Sequence, residues 1–292
     1  MTDPIFSVIV PVRNNKEELK LLLDALSGQT FPQEKFEILI IDNNSVPPLT
    51  LEKKPANCHL LKESIVSSYA ARNTGIKNSK GEIAAFIDSD CIPDSKWLSE
   101  AHKCFSKDLN LSMAAGKIEV FPREKNYLTA VEAFETIFAF PQKTYVQKLE
   151  FGVTANLFVR KKVFEKCGGF DSSLKSGGDR KFCVEAASKG YKTVYVEKIK
   201  VHHPARRKLK QFLNKIKRTA YGYSETNFKN GLTFSMFMRE FVCDLMPFKQ
   251  IFHIATTKKL HKISHRTKAV AVLFCQKYYR TYLKTVWFIK NS

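Results

Sequence analysis

The sequence lacks a Cys-x-x-Cys pair, although it contains seven cysteines. Their odd number and scattered spacing fit neither a disulfide framework nor a zinc site, so we expect free thiols in a reducing compartment. The sequence also lacks any run of the roughly 18 apolar residues that a transmembrane helix needs. Residues 1–4 present no basic segment ahead of an apolar stretch. We therefore expect no export signal and a cytoplasmic protein.

Acidic residues are scarce in the last third of the chain. Residues 204–292 contain 19 Lys or Arg and three acidic residues, a net +16 of the overall +20. Helical patterns over 206–223, 234–252 and 258–290 combine these cations with Phe, Tyr and Leu. Basic amphipathic helices bind anionic membrane surfaces, and each Lys or Arg contributes on the order of 1 kcal/mol. We rank peripheral binding to the inner face of a membrane first, a solvated helical cap second and nucleic acid third.

Apolar runs and helical patterns alternate along the first two thirds of the chain. Residues 6–12 and 37–41 are predicted to be buried strands, and the segment between them places four leucines on one helical stripe. A strand, a helix and a second strand imply a right-handed parallel unit. At 292 residues and 44% hydrophobic, the chain is large enough to bury a sizeable core. We predict an α/β fold.

The later elements continue this alternation. Strands are predicted near 58–61 and over 83–87, 112–120 and 193–201. Helices are predicted around 70–75, after an N-cap at Asp94 or Ser95, over 127–140, over 161–166 and over 179–188. Trp97 is expected to be a core or pocket-wall residue.

Two carboxylates, Asp88 and Asp90, follow the buried strand 83–87. Because side chains alternate along an extended backbone, both lie on the same side while Ser89 points away. Mg²⁺ prefers oxygen ligands and commonly combines one or two carboxylates with substrate phosphates. Short acidic side chains also bond nearby backbone N–H groups in ordinary turns. These residues alone leave a metal–diphosphate site and a turn open.

Polar residues also follow the first two strands. Arg13, Asn14 and Asn15 come after the first strand, and residues 42–45 (Asp-Asn-Asn-Ser) come after the second. In parallel sheets ligands bind beyond the carboxyl ends of the strands, so these residues are candidates for a binding site. Ordinary turn and cap chemistry is the alternative, because Asn and Asp favour both.

Two further candidate groups lie downstream. Gly177 and Gly178 come directly before Asp179, which begins a predicted helix. Glycine gives the backbone conformational freedom and lets a substrate come close. Asp179 is therefore either a helix cap or a residue that contacts a substrate. His202 and His203 follow the last predicted strand. Imidazole is the commonest nitrogen ligand of metals, but such a pair is usually structural or exposed.

The order of these motifs resembles that of the family 2 glycosyltransferases with the GT-A fold. The matching segments are residues 7–14 (SVIVPVRN), 41–45 (IDNNS), 71–75 (ARNTG), 88–90 (DSD), 169–171 (GFD), 177–179 (GGD) and 202–204 (HHP). The resemblance implies a Rossmann-like, mostly parallel sheet flanked by helices in residues 1–204. Residues 1–110 would form its nucleotide-sugar half and residues 111–204 its acceptor half. Residues 205–292 would be a C-terminal helical extension.

The resemblance also implies roles for individual residues. The nucleotide of a sugar-nucleotide donor would contact Pro11, Arg13, Asn14, Asp42, Ser45, Arg72, Asp88 and Ser89. Asp42 would accept a hydrogen bond from the base, and Asp88 would hold the ribose. Asp90 would bind a divalent cation, Mn²⁺ or Mg²⁺, and His203, or else His202, would complete its ligands. A cation on the diphosphate stabilises the charge that develops as the nucleoside diphosphate leaves.

Asp179 matches the family's catalytic base, which would take the proton of the acceptor hydroxyl and invert the anomeric configuration. Many relatives have Glu before this Asp, whereas this chain has Gly178, so the usual neighbouring acid is missing. The resemblance predicts transfer from a UDP-sugar to a hydroxyl of a glycan or lipid-linked acceptor. Such acceptors belong to polysaccharide, lipopolysaccharide or glycolipid assembly.

Two other functions fit parts of the sequence. A nucleotidylyltransferase would also place a nucleotide on a Rossmann-like sheet, but it usually has a Gly-rich loop after the first strand, and residues 11–15 contain no glycine. A non-enzymatic membrane or nucleic-acid adaptor would depend on the cationic residues 205–292. Deleting those residues distinguishes the cases, because a glycosyltransferase keeps donor binding and an adaptor loses its function.

Overall fold

The computed structural model describes residues 3–52, 54–229 and 247–291, which form eight strands and ten α-helices. The strands are β1 (Phe6–Val12), β2 (Phe36–Asp42), β3 (Cys58–Lys62), β4 (Ile83–Ile87), β5 (Ile92–Pro93), β6 (Met113–Phe121), β7 (Asn156–Arg160) and β8 (Thr193–Pro204). The helices are α1 (Lys16–Ser27), α2 (Ser68–Asn78), α3 (Trp97–Lys107), α4 (Ala130–Phe138), α5 (Gln142–Leu149), α6 (Lys161–Cys167), α7 (Gly178–Ser188), α8 (Leu209–Lys229), α9 (Phe248–Thr256) and α10 (Ile263–Asn291).

The chain divides into two compact units. The first contains residues 1–119, 140–174 and 178–203, and the second contains residues 120–139, 175–177 and 204–292. The second unit therefore combines α4 with the C-terminal helices α8, α9 and α10. The domain limits 1–204 and 205–292 stay a prediction.

The eight strands form one mixed sheet in the order β3-β2-β1-β4-β7-β6-β8-β5. Strand β1 runs parallel to β2 and β4, and β2 runs parallel to β3. Strand β7 is antiparallel to β4 and β6, and β5 is antiparallel to β8. The predicted α/β fold and its first parallel unit are confirmed. The carboxyl ends of β1, β2 and β4 lie at one edge of the sheet, where such folds bind ligands.

Strand β1 is buried on both faces, as its continuous apolar run predicts. Val8 and Val10 pack on one face in a cluster with the α1 leucines and with α3, and Ile9 packs on the other face with residues of α2, α6 and α7. Burying each such side chain contributes about 1.5–3 kcal/mol. The four predicted leucines of α1 are buried. Trp97 is a core residue, since its ring is fully buried and its Nε1 donates to Asn156 Oδ1 at 2.9 Å.

The second unit has an apolar cluster of its own. Residues of α4, α8, α9 and α10 build it, with Phe134, Phe212 and Leu273 among its buried members. Among the residues described, no helix is long and apolar enough to cross a bilayer.

Two predicted helix boundaries were wrong. Neither Asp94 nor Ser95 caps α3, because the residue before this helix is Lys96, whose side chain makes no capping bond; the N–H of Leu98 donates instead to Gln29 Oε1 at 3.1 Å. The helix predicted over 127–140 is shorter, since α4 begins after Thr129, which forms a capping box with Glu132. A separate helix, α5, follows the proline at which the prediction stopped.

The predicted tail helices are partly described. The first predicted segment, 206–223, corresponds to α8, and the third, 258–290, corresponds to α10. Most of the second, 234–252, lies outside the described residues, which resume before α9. Strand β5 was not predicted, because two residues give no periodic signal.

Candidate active site

Three loops meet at the edge formed by the carboxyl ends of β1, β2 and β4, and we call them the rim loops: residues 13–15, 43–49 and 88–91. The N–H of Asn14 donates to Ser45 Oγ at 3.0 Å, and the N–H of Val46 donates to Asn14 Oδ1 at 2.8 Å. Asn15 Nδ2 donates to Ser89 Oγ at 3.0 Å. Side chains of the predicted nucleotide contacts therefore hold the rim loops together.

Asp42, the last residue of β2, shapes the second rim loop. Its Oδ1 accepts the N–H of Ser45 and its Oδ2 accepts the N–H of Leu49, each at 3.0 Å. Burial raises the pKa of this carboxyl, but hydrogen bonds from Ser45 and Leu49 outweigh burial, so the pKa lies below its ordinary value. Each carboxylate oxygen accepts more than one hydrogen bond, so this geometry is compatible with a contact to a nucleotide base.

Arg72 brings a buried positive charge to the same edge. It is 5% exposed, and its Nη2 donates to Asp88 Oδ1 at 2.6 Å, a short charge-assisted hydrogen bond. Its Nη1 donates to the carbonyl of Ser68 at 3.3 Å. Two other predicted nucleotide contacts lie nearby: Pro11, near the end of β1, is half-buried, and Arg13, the first residue of the first rim loop, is exposed. The structure thus pairs two of the predicted residues, Arg72 and Asp88, directly.

Asp90 lies beside His203. The distance between Asp90 Oδ2 and His203 Nε2 is 3.5 Å, and their side chains are 33% and 4% exposed. The His203 ring packs against Phe140, with ring centroids 4.6 Å apart. Asp90, His203 and Cys91 offer three donor atoms that lie within 4.8 Å of one another.

The chemistry of these three groups separates the two that fit a metal from the one that does not. A thiol binds metal as the thiolate, but burial raises the pKa of Cys91 well above its ordinary value. Its Sγ lies 3.9 Å from the carbonyl oxygen of Ala155. A carboxylate oxygen and an imidazole nitrogen suit Mn²⁺ or a similar divalent ion. Asp90 and His203 are therefore the pair that fits such a cation.

His202 lies apart from this pair. Neighbouring residues of a strand point to opposite faces, and His202 Nδ1 lies 3.7 Å from Glu119 Oε2. The structure thus brings His203 to Asp90 and does not bring His202 there. Sequence periodicity separates the two histidines, but it does not tell which of them faces Asp90.

Asp179 occupies the first turn of α7 and is half-buried. Its carboxylate accepts the N–H of Arg180 at 3.1 Å and a backbone N–H of Thr154. Burial raises the pKa of Asp179, and the positive charge of Arg72 opposes this effect without cancelling it. A raised pKa makes this carboxylate a stronger base than a free Asp.

Two tyrosines close to Asp179 were not predicted from the sequence. Tyr69 Oη accepts the N–H of Gly178 at 2.9 Å. Burial, reinforced by the charge of Asp179, raises the pKa of Tyr69 to about 12 and also raises that of Tyr145. Tyr145 stacks on Phe151 with ring centroids 4.8 Å apart. No spacing rule indicates these contacts, since Tyr69 only precedes the segment 71–75 that carried the resemblance.

Comparisons with known proteins identify the family of this sequence. The sequence matches the family model described as "Glycosyl transferase family 2" over residues 7–168. It is 35% identical over 212 residues to the glycosyltransferase AglE of Haloferax volcanii, covering 70% of this chain and 68% of that protein. It is 25% identical over 217 residues to a pre-mycofactocin glycosyltransferase of Mycobacterium tuberculosis, covering 71% of this chain and 44% of that protein.

Solved structures show the same fold. The mannosyltransferase PcManGT from Pyrobaculum calidifontis, in complex with GDP-Man and Mn²⁺, matches with a TM-score of 0.60 at 16% identity, covering 98% of this chain and 87% of that chain. TarS from S. aureus, in complex with UDP-GlcNAc, matches with a TM-score of 0.53 at 17% identity, covering 93% and 81%. At such identities the likeness concerns the fold.

Proposed function

This chain belongs to glycosyl transferase family 2, and we propose that it moves a sugar from a UDP-sugar to a hydroxyl of a glycan or lipid-linked acceptor, inverting the anomeric configuration. The observation that carries the proposal is one site in the first unit that combines the pair Asp90–His203, the pair Arg72–Asp88 and the carboxylate of Asp179. Membership of the family removes the nucleotidylyltransferase and adaptor alternatives.

The donor would bind along the rim loops. TarS binds UDP-GlcNAc and PcManGT binds GDP-Man with Mn²⁺, which supports a nucleotide-sugar here. Asp42 and Asn14 would meet the nucleoside, and Arg72 would hold Asp88 toward the ribose. Asp90 and His203 would hold a divalent cation, Mn²⁺ or Mg²⁺, whose charge would stabilise the diphosphate leaving group.

Asp179 would act on the acceptor. Its carboxylate takes the proton of the acceptor hydroxyl while that oxygen forms a bond to the anomeric carbon. The bond between this carbon and the phosphate oxygen breaks at the same time, and the nucleoside diphosphate leaves with the electron pair. Because the oxygen attacks opposite the leaving group, the configuration inverts. The raised pKa of Asp179 supports its role as the base.

The second unit would bind the anionic surface of a membrane at which polysaccharide, lipopolysaccharide or glycolipid is assembled. Residues 245–292 contain ten Lys or Arg and no acidic residue. Several large apolar side chains are exposed there, among them Phe248 and Phe252 at 71% and Ile263 at 79%. Exposed aromatic groups among cations are the features with which a peripheral helix binds anionic lipid.

A vesicle experiment tests this part of the proposal. We expect the protein to sediment with vesicles that contain anionic lipid, and we expect high salt to weaken this binding. The double variant Phe248→Ser/Phe252→Ser should bind less than Leu109→Ser, which removes a residue 74% exposed in the first unit. Equal binding by both variants would contradict a role of the exposed Phe248 and Phe252 in binding the membrane.

A donor screen tests the central activity. UDP-, GDP- and TDP-sugars are added with Mn²⁺ or Mg²⁺, and binding is measured by the shift of the unfolding midpoint. We expect a UDP-sugar to give the largest shift. The same donor should be turned over when an acceptor is present, and EDTA should stop this turnover. Metal-independent turnover, or no shift with any donor, would contradict the proposal.

A further inference from the structure

Gly178 has no room for a side chain. A Cβ atom added at this position would lie 2.8 Å from ring carbons of Tyr69, closer than carbon atoms approach in proteins. Gly178 is buried, and Tyr69 is 7% exposed. The ring of Tyr69 therefore occupies the space that a side chain at position 178, next to the proposed base, would need.

The hydroxyl of Tyr69 acts on the backbone at the same place. Helix α7 begins at Gly178, and the first N–H groups of a helix have no partner within the helix. The N–H of Gly178 donates to Tyr69 Oη at 2.9 Å. A hydroxyl from helix α2 thus caps helix α7, although the two residues are 109 positions apart. Because Asp179 is the next residue, this bond fixes the turn that carries its carboxylate.

Tyr69 is itself held by its neighbours. Its ring stacks on Phe170, with centroids 6.0 Å apart and ring planes inclined by 30°. The guanidinium carbon of Arg72 lies 5.8 Å from the centroid of the same ring. Arg72 in turn bonds Asp88 at 2.6 Å. A continuous set of contacts therefore runs from Asp88, through Arg72 and Tyr69, to the backbone before Asp179.

We propose that Tyr69 is the positioning residue of Asp179: its ring takes the place of the side chain that position 178 lacks, and its hydroxyl sets the first turn of α7. The proposal rests on the proposed function, since it concerns the same base. It also implies that Asp179 meets the acceptor without an acidic neighbour at 178, so the acceptor hydroxyl is oriented by one carboxylate at this point.

The first test separates positioning from stability. Tyr69→Phe keeps the ring and removes the hydroxyl, and Tyr191→Phe is the matched control because it removes a hydroxyl beyond the other end of α7. With the donor found in the screen, we expect Tyr69→Phe to lower kcat at least about tenfold and to change the KM of the donor less than about twofold. Tyr191→Phe should leave both unchanged.

A different result would overturn the proposal. If Tyr69→Phe lowers the unfolding midpoint but keeps the kcat of the wild type, the hydroxyl is structural only. If the wild-type protein turns over no donor at all, the proposed function fails first, and the two failures are thereby distinguished.

The second test uses the space around Gly178. In the wild-type background, Gly178→Ala introduces a methyl group against the Tyr69 ring, and we expect it to lower both kcat and the unfolding midpoint. Tyr69→Ala opens this space. When Gly178→Ala is added to Tyr69→Ala, we expect kcat to fall by less than about twofold relative to Tyr69→Ala alone. Equal losses in the two backgrounds would show that the ring does not occupy the place of the missing side chain.

Discussion

Two pairs of acidic side chains, one in each unit of this molecule, differ in how completely protein donors surround them. In the first unit, the side chains of Asp88 and Asp90 are each 33% exposed. In the second unit, Glu132 and Glu135 of α4 are 0% and 2% exposed. The first pair lies after a strand at the edge of the sheet, whereas the second lies on a helix within a hydrophobic cluster.

The partners of Glu135 explain why so buried an acid is tolerated. Its Oε2 accepts the N–H of Arg206 at 2.7 Å, and its Oε1 accepts Arg206 Nη1 at 2.9 Å and Lys215 Nζ at 3.1 Å. Burial raises the pKa of Glu135, but the charges of Lys215 and Arg206 outweigh burial and keep it below the ordinary value. Both oxygens of this carboxylate thus face protein donors.

Glu132 is enclosed in a similar way. It accepts the N–H of Arg123 at 3.1 Å and that of Thr129 at 2.9 Å, and the Nε of Arg207 lies 3.6 Å away. Donors enclose Glu132 and Glu135, so these two carboxylates hold the second unit together and leave no space for a ligand. The side chains of Asp88 and Asp90, each one-third exposed at the sheet edge, keep such space. Exposure at the edge, rather than charge alone, therefore distinguishes Asp88 and Asp90 from the two glutamates.

The largest effect is expected at Asp179. Asp179→Asn removes the base, and we expect kcat to fall by about 10²- to 10⁴-fold, the usual contribution of a general base. Donor binding, measured by thermal shift, should stay near the wild-type value. In the wild type, turnover should rise with pH as Asp179 loses its proton, with a midpoint above the ordinary value because burial raises its pKa.

The matched control for this variant is Asp24→Asn, which changes an exposed residue of α1. It should keep the turnover of the wild type. Turnover by Asp179→Asn at the rate of this control would show that another group takes the proton.

Replacing Glu135 should lower the stability of the protein, whereas replacing Asp179 should lower its turnover. Glu135→Ala leaves Arg206 and Lys215 without their carboxylate, and we expect the free energy of unfolding to fall by about 3 kcal/mol, the lower range for a broken buried pair. Urea unfolding measures this change. The exposed helical residue Glu165 supplies the control, since Glu165→Ala should change stability by less than about 0.5 kcal/mol.

The pH dependence of this contribution has a definite sign. The pKa of Glu135 is lower in the folded state than its ordinary value of 4.5. Its stabilising effect is therefore fully present above that value and is lost as the pH falls through the lower, folded-state pKa. The difference in stability between wild type and Glu135→Ala should shrink in this acidic range, and a difference that grows there would contradict the ion pair.

Asp90 tests the same comparison in the candidate site. We expect Asp90→Asn to weaken Mn²⁺ binding by at least about 10- to 100-fold, because loss of a group that only supports a metal ligand already costs that much. Titration with Mn²⁺, followed by electron paramagnetic resonance, measures this without turnover. Stability should change little, because Asp90 is partly exposed. Asp108→Asn, at an exposed position, is the control.

The smallest effect is expected at the surface pair Asp171–Lys181. Lys181 Nζ lies 2.8 Å from Asp171 Oδ2, and bonds from Lys181 and Ser173 lower the pKa of Asp171 to about 2. The two side chains are 30% and 44% exposed, so solvent screens the pair. Asp171→Asn should cost less than about 1 kcal/mol at neutral pH, and high salt should reduce this cost. The contribution should disappear as the pH falls toward 2.

Much of the fold could be predicted because its signals are local. The apolar runs of β1, β2 and β4 indicate buried strands, and the rule that ligands bind beyond their carboxyl ends points to the residues of the rim loops. Asp42, Asp88 and Asp90 are at such ends. The four leucines of α1 were identified by helical periodicity alone.

Other features depend on contacts between distant parts of the chain. The bond between Tyr69 and Gly178 and the pairing of Arg206 with Glu135 follow from packing, which no short motif encodes. In the sequence, Glu132 and Glu135 stand out only weakly, as acidic residues in an otherwise apolar helix. The arginines that pair with them lie about 70 residues away in the sequence.

The stereochemistry of the product tests the central claim most directly. With the donor found in the screen and a hydroxyl acceptor, proton NMR of the product shows the anomeric configuration through its coupling constant. Direct attack by a hydroxyl deprotonated by Asp179 predicts a configuration opposite to that of the donor. Retention of the donor's configuration would contradict a single displacement and the role assigned to Asp179.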